Sequence, residues 1–351
     1  MSTPVQATID FLLANACVQI RYLVHRDFLG APIDEPFMRR MQEEICLQSN
    51  TLKHFSAQHP DGWFGHELHG NDGMDRHIGD LLNMGVDPDH PRIQQAVTAL
   101  TTPSIAAQHK NWFRGGDALD ADGRGGNRAV IAGILSRVGY PEDAPMLAAE
   151  TALAFEHLTA VLRYRSVDDF STVGGRQRYY LPGVRFPGEN HIGLLANTHA
   201  WRSESRMAVA RSAMKHGFEL MKDFDGQITF RKPRDYGSGF VGPFNYNWQA
   251  LKPITEEELR RILESPYHFQ FGFWLRAVGS TPDWARQSTQ TYELLANLLG
   301  KGDFTERIPG KSLHAFRQIM GIEPAWRTRI AVQCDVTFAL LRACRCIAAK
   351  P

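Results

Sequence analysis

The sequence predicts an all-α protein, and three observations carry that expectation. Apolar residues recur at helical spacing in about a dozen segments. Strand-like alternation is confined to Gln227-Ile228-Thr229-Phe230, which would make a short hairpin arm. Helix start and stop signals fall at the edges of the periodic segments. The chain has 351 residues, enough to bury a sizeable core without disulfide or metal staples. A single domain over residues 1–351 is expected.

Helices are expected near 4–26, 35–57, 74–84, 91–101, 127–138, 142–164, 190–200, 204–222, 255–264, 267–278, 283–299, 312–319 and 326–347. Phe11 to Cys17 is briefly apolar, but Asp10 precedes it and the pattern runs on through Ile20 and Leu23. It reads as the first core helix, not a signal segment. Pro91 after Asp89-His90 suits a helix start, with Ile93, Ala96, Val97 and Leu100 as the buried stripe. Pro141-Glu142-Asp143 opens another, and its acids favour the helix dipole. Leu147, Thr151, Phe155, Leu158 and Leu162 mark its inner face. Thr255 with Glu258 reads as a capping box. The helix after Pro282-Asp283 is stopped by Gly300 and Gly302. The last helix carries Trp326, Ile330, Cys334, Phe338 and Leu341 on one face. Long Gly-, Asp- and aromatic-rich loops fill residues 58–73, 111–126, 171–189 and 223–253, and loops of that length are usually functional or packed by their own side chains.

Composition narrows the class. Lys plus Arg is 39 against 38 for Asp plus Glu, a net charge of +1, which argues against a nucleic-acid binder and an acidic tail. Five scattered cysteines make no disulfide framework, so reduced thiols and a cytoplasmic setting are expected. No run of 18 apolar residues supports a transmembrane helix. No dinucleotide, phosphate-loop or Gly-x-Ser-x-Gly pattern is present. The expected partner is a small-molecule substrate, with no cofactor and no metal. Homo-oligomerisation is compatible with the sequence.

The helices come in pairs with a repeating texture. Gln58 to Gly65 is followed by a helix and the turn Gly85 to Pro91. About 50 residues on, Asn111-Trp112-Phe113-Arg114-Gly115-Gly116 leads to a helix and the turn Gly139 to Pro145. Such arrays bury each pair against the next, and six pairs closed into a ring would use up the predicted helices.

At these residues the chain resembles the terpenoid-cyclase and protein-prenyltransferase superfamily, the squalene–hopene cyclase group in particular. Gln58-x-x-Asp61-Gly62-Trp63-Phe64-Gly65 is similar to one of its Gln–Trp motifs. Gly85-Val86-x-Pro88-x-His90-Pro91-Arg92-Ile93-Gln94-x-Ala96 is similar to its inter-helix turn and following helix. The likeness is clearest over residues 55–165. It implies an (α/α)6 toroid, a terpenoid cyclase-like helix-pair barrel, with a central cavity lined by aromatic rings. Class II members use an Asp-x-Asp-Asp motif; here Asp120-Ala121-Asp122-Gly123 is one carboxylate short.

Three polar clusters are candidates for chemistry. His66, His69 and Asp72 lie in the dense run from His66 to His77. Imidazoles and carboxylates there can do acid–base work, hold a metal, or simply cap the loop; the spacing is not that of a zinc protease. Asp120, Asp122 and Arg124 lie in a Gly-rich loop, as a structural turn or as a buried acid with a raised pKa. Glu189 and His191, then His199 and Arg202, follow Arg185, and helix capping alone would explain Glu189.

The expected function is acid-initiated cyclisation or isomerisation of an apolar polyene or isoprenoid-type molecule. The candidate catalytic residues are Asp122, Asp120, Asp72, His66, His69, Glu189 and His191. Substrate contacts are expected from Trp63, Phe64, Trp112, Tyr179, Tyr180, Arg124, Arg202, His199, Phe244 and Trp248, whose rings would stabilise cations or stack on sugars. The alternatives are a polysaccharide lyase-like enzyme on uronic-acid sugars, using Asn190, His191, Tyr179, Tyr180 and Arg185, and a non-catalytic binding scaffold. Both enzyme readings share one architecture, so fold alone does not separate them.

Overall fold

The computed structural model describes residues 3–109, 116–121, 123–175, 177–222, 224, 228–229, 254–285 and 290–344. Helix dominates these residues, as expected, with seventeen α-helices against three short strands. In chain order they are α1 (Thr3–Asn15), α2 (Val18–Asp27), α3 (Pro36–Cys46), α4 (Ser49–Ser56), α5 (Met74–Asn83), α6 (Pro91–Thr101), α7 (Pro103–Ala106), α8 (Gly116–Ala121), α9 (Asn127–Arg137), α10 (Pro145–Ala160), β1 (Ser171–Gly174), β2 (Gln177–Tyr180), α11 (Glu189–Asn197), α12 (Glu204–Met221), β3 (Ile228–Thr229), α13 (Glu256–Leu263), α14 (Gln270–Ser280), α15 (Gln290–Gly300), α16 (Gly310–Met320) and α17 (Arg329–Ala343). None of the described helices is long and apolar enough to cross a membrane.

The described chain divides into two compact units. The first comprises residues 1–56, 81–87 and 250–351; the second comprises 57–80 and 88–249. The boundary at Asp80–Leu81 falls within α5.

In the first unit α17 packs against α1, α2, α14, α15 and α16. Its Cys334, Phe338 and Leu341 are buried as the periodicity predicts, but Ile330 is exposed and Trp326 precedes the helix. Ile9, Leu12, Ile20, Leu23, Phe271 and Phe316 complete this core, each stabilising the fold by about 2–3 kcal/mol. The helix expected over 4–26 is two helices, because Cys17 is extended (ψ 165°) and its N–H donates to Glu323 Oε1 at 2.7 Å. The one expected over 35–57 also divides, into α3 and α4. Asn50 in α4 donates to the Ile322 carbonyl (2.7 Å) and accepts from Gln19 Nε2 (2.9 Å).

In the second unit α9, α10 and α11 pack against one another, and α12 against α10. Leu147, Ala154, Leu158 and Leu195 are buried at their junction. Leu162 lies beyond α10 in a tight turn and is exposed. The segment expected as a loop after residue 171 holds a hairpin, β1 pairing antiparallel with β2 from Ser171–Tyr180 to Gly174–Gln177. β3 falls within the strand-like Gln227–Phe230 segment and lies parallel to β2. Phe170 stacks on Phe186 at 4.5 Å beside Tyr180, anchoring the hairpin by apolar burial.

Candidate functional site

The loop opened by Gln58 is built from the backbone outward. Gln58 Nε2 donates to the carbonyls of Gly62 (3.1 Å) and Arg92 (2.7 Å), tying the loop to the start of α6. Asp61 Oδ1 accepts the Trp63 N–H, an Asx-type turn. Gly65 has φ +65°, and a Cβ there would lie 2.1 Å from the Asp72 carbonyl oxygen, so only glycine fits. The turn drives Trp63 and Phe64 fully inside. Both rings lie against imidazoles of the polar residues. Trp63 stacks on His109 (4.3 Å, 11° between planes) and Phe64 on His77 (5.9 Å, 16°).

Three imidazoles of this region meet a carboxylate at hydrogen-bond distance. His109 Nε2 lies 2.9 Å from Asp61 Oδ2, His77 Nε2 2.9 Å from Asp72 Oδ1, and His69 Nδ1 2.6 Å from Asp75 Oδ2. Burial works to raise Asp61, but the Trp63 N–H and His109 outweigh it and hold the carboxyl below its ordinary value. The hydrogen bond from His77 does the same for Asp72. His66 projects outward, 80% exposed and 3.8 Å from Asp72. His69 is raised above the ordinary imidazole value of 6.5: the bond to Asp75 holds the proton on, burial opposes it, and the charges of Asp75, Glu189 and Glu67 add to the hold. The side chains of His77 and His109 are only 12% and 14% exposed, whereas that of His69 is 45% exposed. His69 is thus the most accessible of these three hydrogen-bonded imidazoles.

A second cluster lies where α9, α10 and α11 meet. Asp120 accepts the N–H groups of Gly126 (2.8 Å) and Arg128 (3.1 Å), so it already fills the anion-attracting start of α9. Burial nevertheless raises its pKa. Arg128 pairs with the buried Glu150 at 2.7 Å, and burial raises that carboxyl too. Arg124 donates to the Leu181 carbonyl at 3.0 Å. Tyr180 is buried, which pushes its phenol up, and Tyr179 donates to Gln177 Oε1 at 2.8 Å. Arg185 pairs with Glu156 at 2.9 Å and reaches the Gly123 carbonyl at 3.2 Å.

His191 is buried, and its Nδ1 accepts the Gly188 N–H at 3.0 Å. Its proton then sits on Nε2, which has no hydrogen-bond partner among the described residues. Burial first and the neighbouring His157 second push this ring down to about 3.

The structure therefore brings His66, His69 and Asp72 together on one loop. Glu189 lies near enough for its charge to act on His69. Asp120, Arg124, Tyr180 and His191 belong to the α9–α11 junction. His199 and Arg202 are not part of either cluster. His199 pairs with Glu142 (3.4 Å), and Arg202 donates to the Ala196 carbonyl (2.7 Å), so both serve the far end of α11. Asp122, Trp112, Phe244 and Trp248 lie outside the described residues.

The sequence reading missed Asp75, His77, His109, Glu150 and His157. Asp75 and His77 were in plain view inside the His66–His77 run. Glu150 and His157 carried a fainter signal, polar side chains within the apolar stripe of α10. Among the described residues no group of three or more His, Cys, Asp or Glu is arranged to hold a metal ion. Comparison of the chain with family models, curated proteins and solved structures gives no match.

Proposed function

We propose that the chain is a terpenoid cyclase-like proton-transfer enzyme in which His69 is the base. The observation that carries this reading is the half-exposed His69 ring bound through Nδ1 to Asp75, with Glu189 near by. With Nδ1 turned to the Asp75 carboxylate, a neutral ring carries its proton there and its basic lone pair on Nε2. In the closing step a C–H proton passes to Nε2, and its bonding pair becomes the new alkene, discharging a carbocation. Asp75 then holds the imidazolium by accepting its Nδ1–H. Initiation needs a carboxylic acid. Asp120, whose pKa burial raises, suits that role better than Asp72, which His77 keeps as a carboxylate acceptor. The proposal includes a small-molecule substrate, a cytoplasmic setting and the (α/α)6 ring suggested by the paired helices.

One observation favours the lyase alternative. The His69 loop is polar at its rim, where Arg76 Nη1 donates to Asn71 Oδ1 at 3.2 Å. A guanidinium tied to the same loop as the base suits neutralising a uronate carboxylate while the neighbouring proton is removed.

The test incubates the purified full chain with squalene, with a polyprenyl diphosphate and with a polyuronate, reading products by mass spectrometry. One class should turn over. His69→Gln should lower kcat by about 10²–10⁴-fold, and Asp75→Asn should lower it in the same direction. The rate should fall on acidification through a pKa above the ordinary imidazole value, since the base must be unprotonated. Turnover of the polyuronate alone supports the lyase, undiminished turnover by His69→Gln rejects His69 as the base, and no product from any class supports a scaffold.

A further inference from the structure

His191 takes no part in the reaction above, yet its ring holds the start of α11. It is the third residue of that helix, and its Nδ1 accepts the N–H of Gly188, the residue before the helix, at 3.0 Å. At this position a glutamate or glutamine ordinarily reaches back to that N–H. An imidazole does the same only while Nδ1 keeps its lone pair. The proton of the neutral ring is then on Nε2, which has no hydrogen-bond partner among the described residues. That nitrogen is pressed against Gly125, where a Cβ would lie 2.5 Å from it. One face of the ring is covered by His157 of α10, stacked at 4.4 Å with 15° between planes. His157 is itself buried between two acceptors, with Nε2 2.7 Å from the Gly123 carbonyl oxygen and Nδ1 3.0 Å from that of Phe186. The loop before α9, the helix α10 and the approach to α11 therefore meet on two stacked imidazoles.

A second proton can enter His191 only at Nδ1, where it turns the acceptor into a donor facing the Gly188 N–H. We propose that His191 is an acid-released latch on α11: neutral, it fastens Gly188 and the first turn of the helix; protonated, it lets them go. The latch does not rest on the reaction proposed above. From α10 the ring faces His157. The other charged groups at the junction are engaged elsewhere. Arg185, from the segment before α11, pairs with Glu156 of α10, and Arg128 of α9 pairs with Glu150 of α10. Asp120 is held by the Gly126 and Arg128 N–H groups, and Arg124 donates to the Leu181 carbonyl. Glu189, on α11 itself, is exposed. Burial first and His157 second hold the His191 ring down at about 3, against an ordinary 6.5. His157 is lowered too, by burial first, with Arg185 adding to it and the two carbonyls and Glu156 opposing. The closed junction thus refuses a proton that an opened one accepts. Closure is favoured above pH 6.5 and loses ground as pH falls from there toward about 3.

The experiment follows hydrogen exchange of the full chain at two amides, from about pH 7.5 down to about pH 4.5, corrected for the intrinsic rate. The Gly188 N–H is held by His191, and the Ile192 N–H by the Gly188 carbonyl at 3.2 Å. Their opening constant should be level above the ordinary histidine value. Below it the constant should rise about tenfold per pH unit, for the one proton that His191 takes up on opening. His191→Gln offers an amide oxygen to the same N–H and does not titrate. It should stay protected and lose about that tenfold per unit. A level profile in the wild-type protein overturns the proposal, as does a His191→Gln profile as steep as the wild type. If His191→Gln does not fold, the wild-type protein decides by imidazole nitrogen NMR. His191 should carry its proton on Nε2 alone and still be neutral at about pH 5. A ring that titrates at the ordinary value while Gly188 stays protected overturns the latch.

Discussion

The two units each organise around one helix with a titratable side chain buried on it, and they satisfy that side chain in opposite ways. In the first unit Asp335 of α17 accepts from the Ile322 N–H (2.7 Å), the Glu323 N–H (3.0 Å) and Trp326 Nε1 (2.5 Å). A carboxylate is an acceptor at every lone pair, so its ionised form satisfies all three donors. In the second unit His157 of α10 faces two carbonyl oxygens. A neutral imidazole has a single N–H, and burial favours the neutral ring, so one of the two contacts is left without its proton. The first arrangement closes a loop with donors alone. The second leaves a joint whose hydrogen bonding depends on a proton.

The contrast can be broken from the larger effect downward. Trp63→Ala empties a fully buried site under the His-rich loop. It should cost about 4 kcal/mol, with hydrogen exchange locating the loss in residues 57–80. Confinement of the loss to the first unit would contradict the division. Asp335→Ala strands three buried donors and should cost about 3 kcal/mol in a urea melt, with the faster exchange centred on residues 321–326.

Acidity offers a subtler probe. Burial, against the three donors, pushes the Asp335 carboxyl up to about 6 from an ordinary 3.8. The folded state then binds the proton more tightly than the unfolded one. This group's stabilisation is complete below pH 3.8 and is lost as pH rises toward about 6. Asp335→Asn should flatten that part of the stability–pH curve, and an unaltered slope would assign it elsewhere. The smallest effect is expected at Arg260, which pairs with Glu257 (2.8 Å) and Glu264 (3.2 Å) on the open face of α13. Arg260→Ala should leave the melting temperature unchanged within error, because exposed pairs are screened by solvent.

Where the helices begin was legible when the signal was local. Pro91 and the stripe Ile93, Ala96, Val97, Leu100 place α6 at its observed bounds. Thr255 and Glu258 form the expected reciprocal cap, at 3.2 and 2.9 Å. The break at Cys17 was not legible because its cause, Glu323, lies 306 residues away. The β1–β2 hairpin was hidden by strands of four residues each, too short to alternate convincingly. In the site, the His-rich run announced acid–base potential, but the pairing of His69 with Asp75 needed a loop folded through Gly70 at φ +148°. His157 was the least visible, since backbone carbonyls such as those of Gly123 and Phe186 bear no mark in a sequence.

The interrupted path of the first unit carries a consequence for synthesis. α1 packs on α15 and α17, helices that leave the ribosome long after it. The opening helices must wait, apolar faces uncovered, while everything between is made. Residues 57–80 and 88–249, by contrast, hold their principal helix contacts among themselves and can close early. A nascent chain halted before α15 should therefore present a protease-resistant middle and a vulnerable beginning, the reverse of what simple order of emergence would suggest.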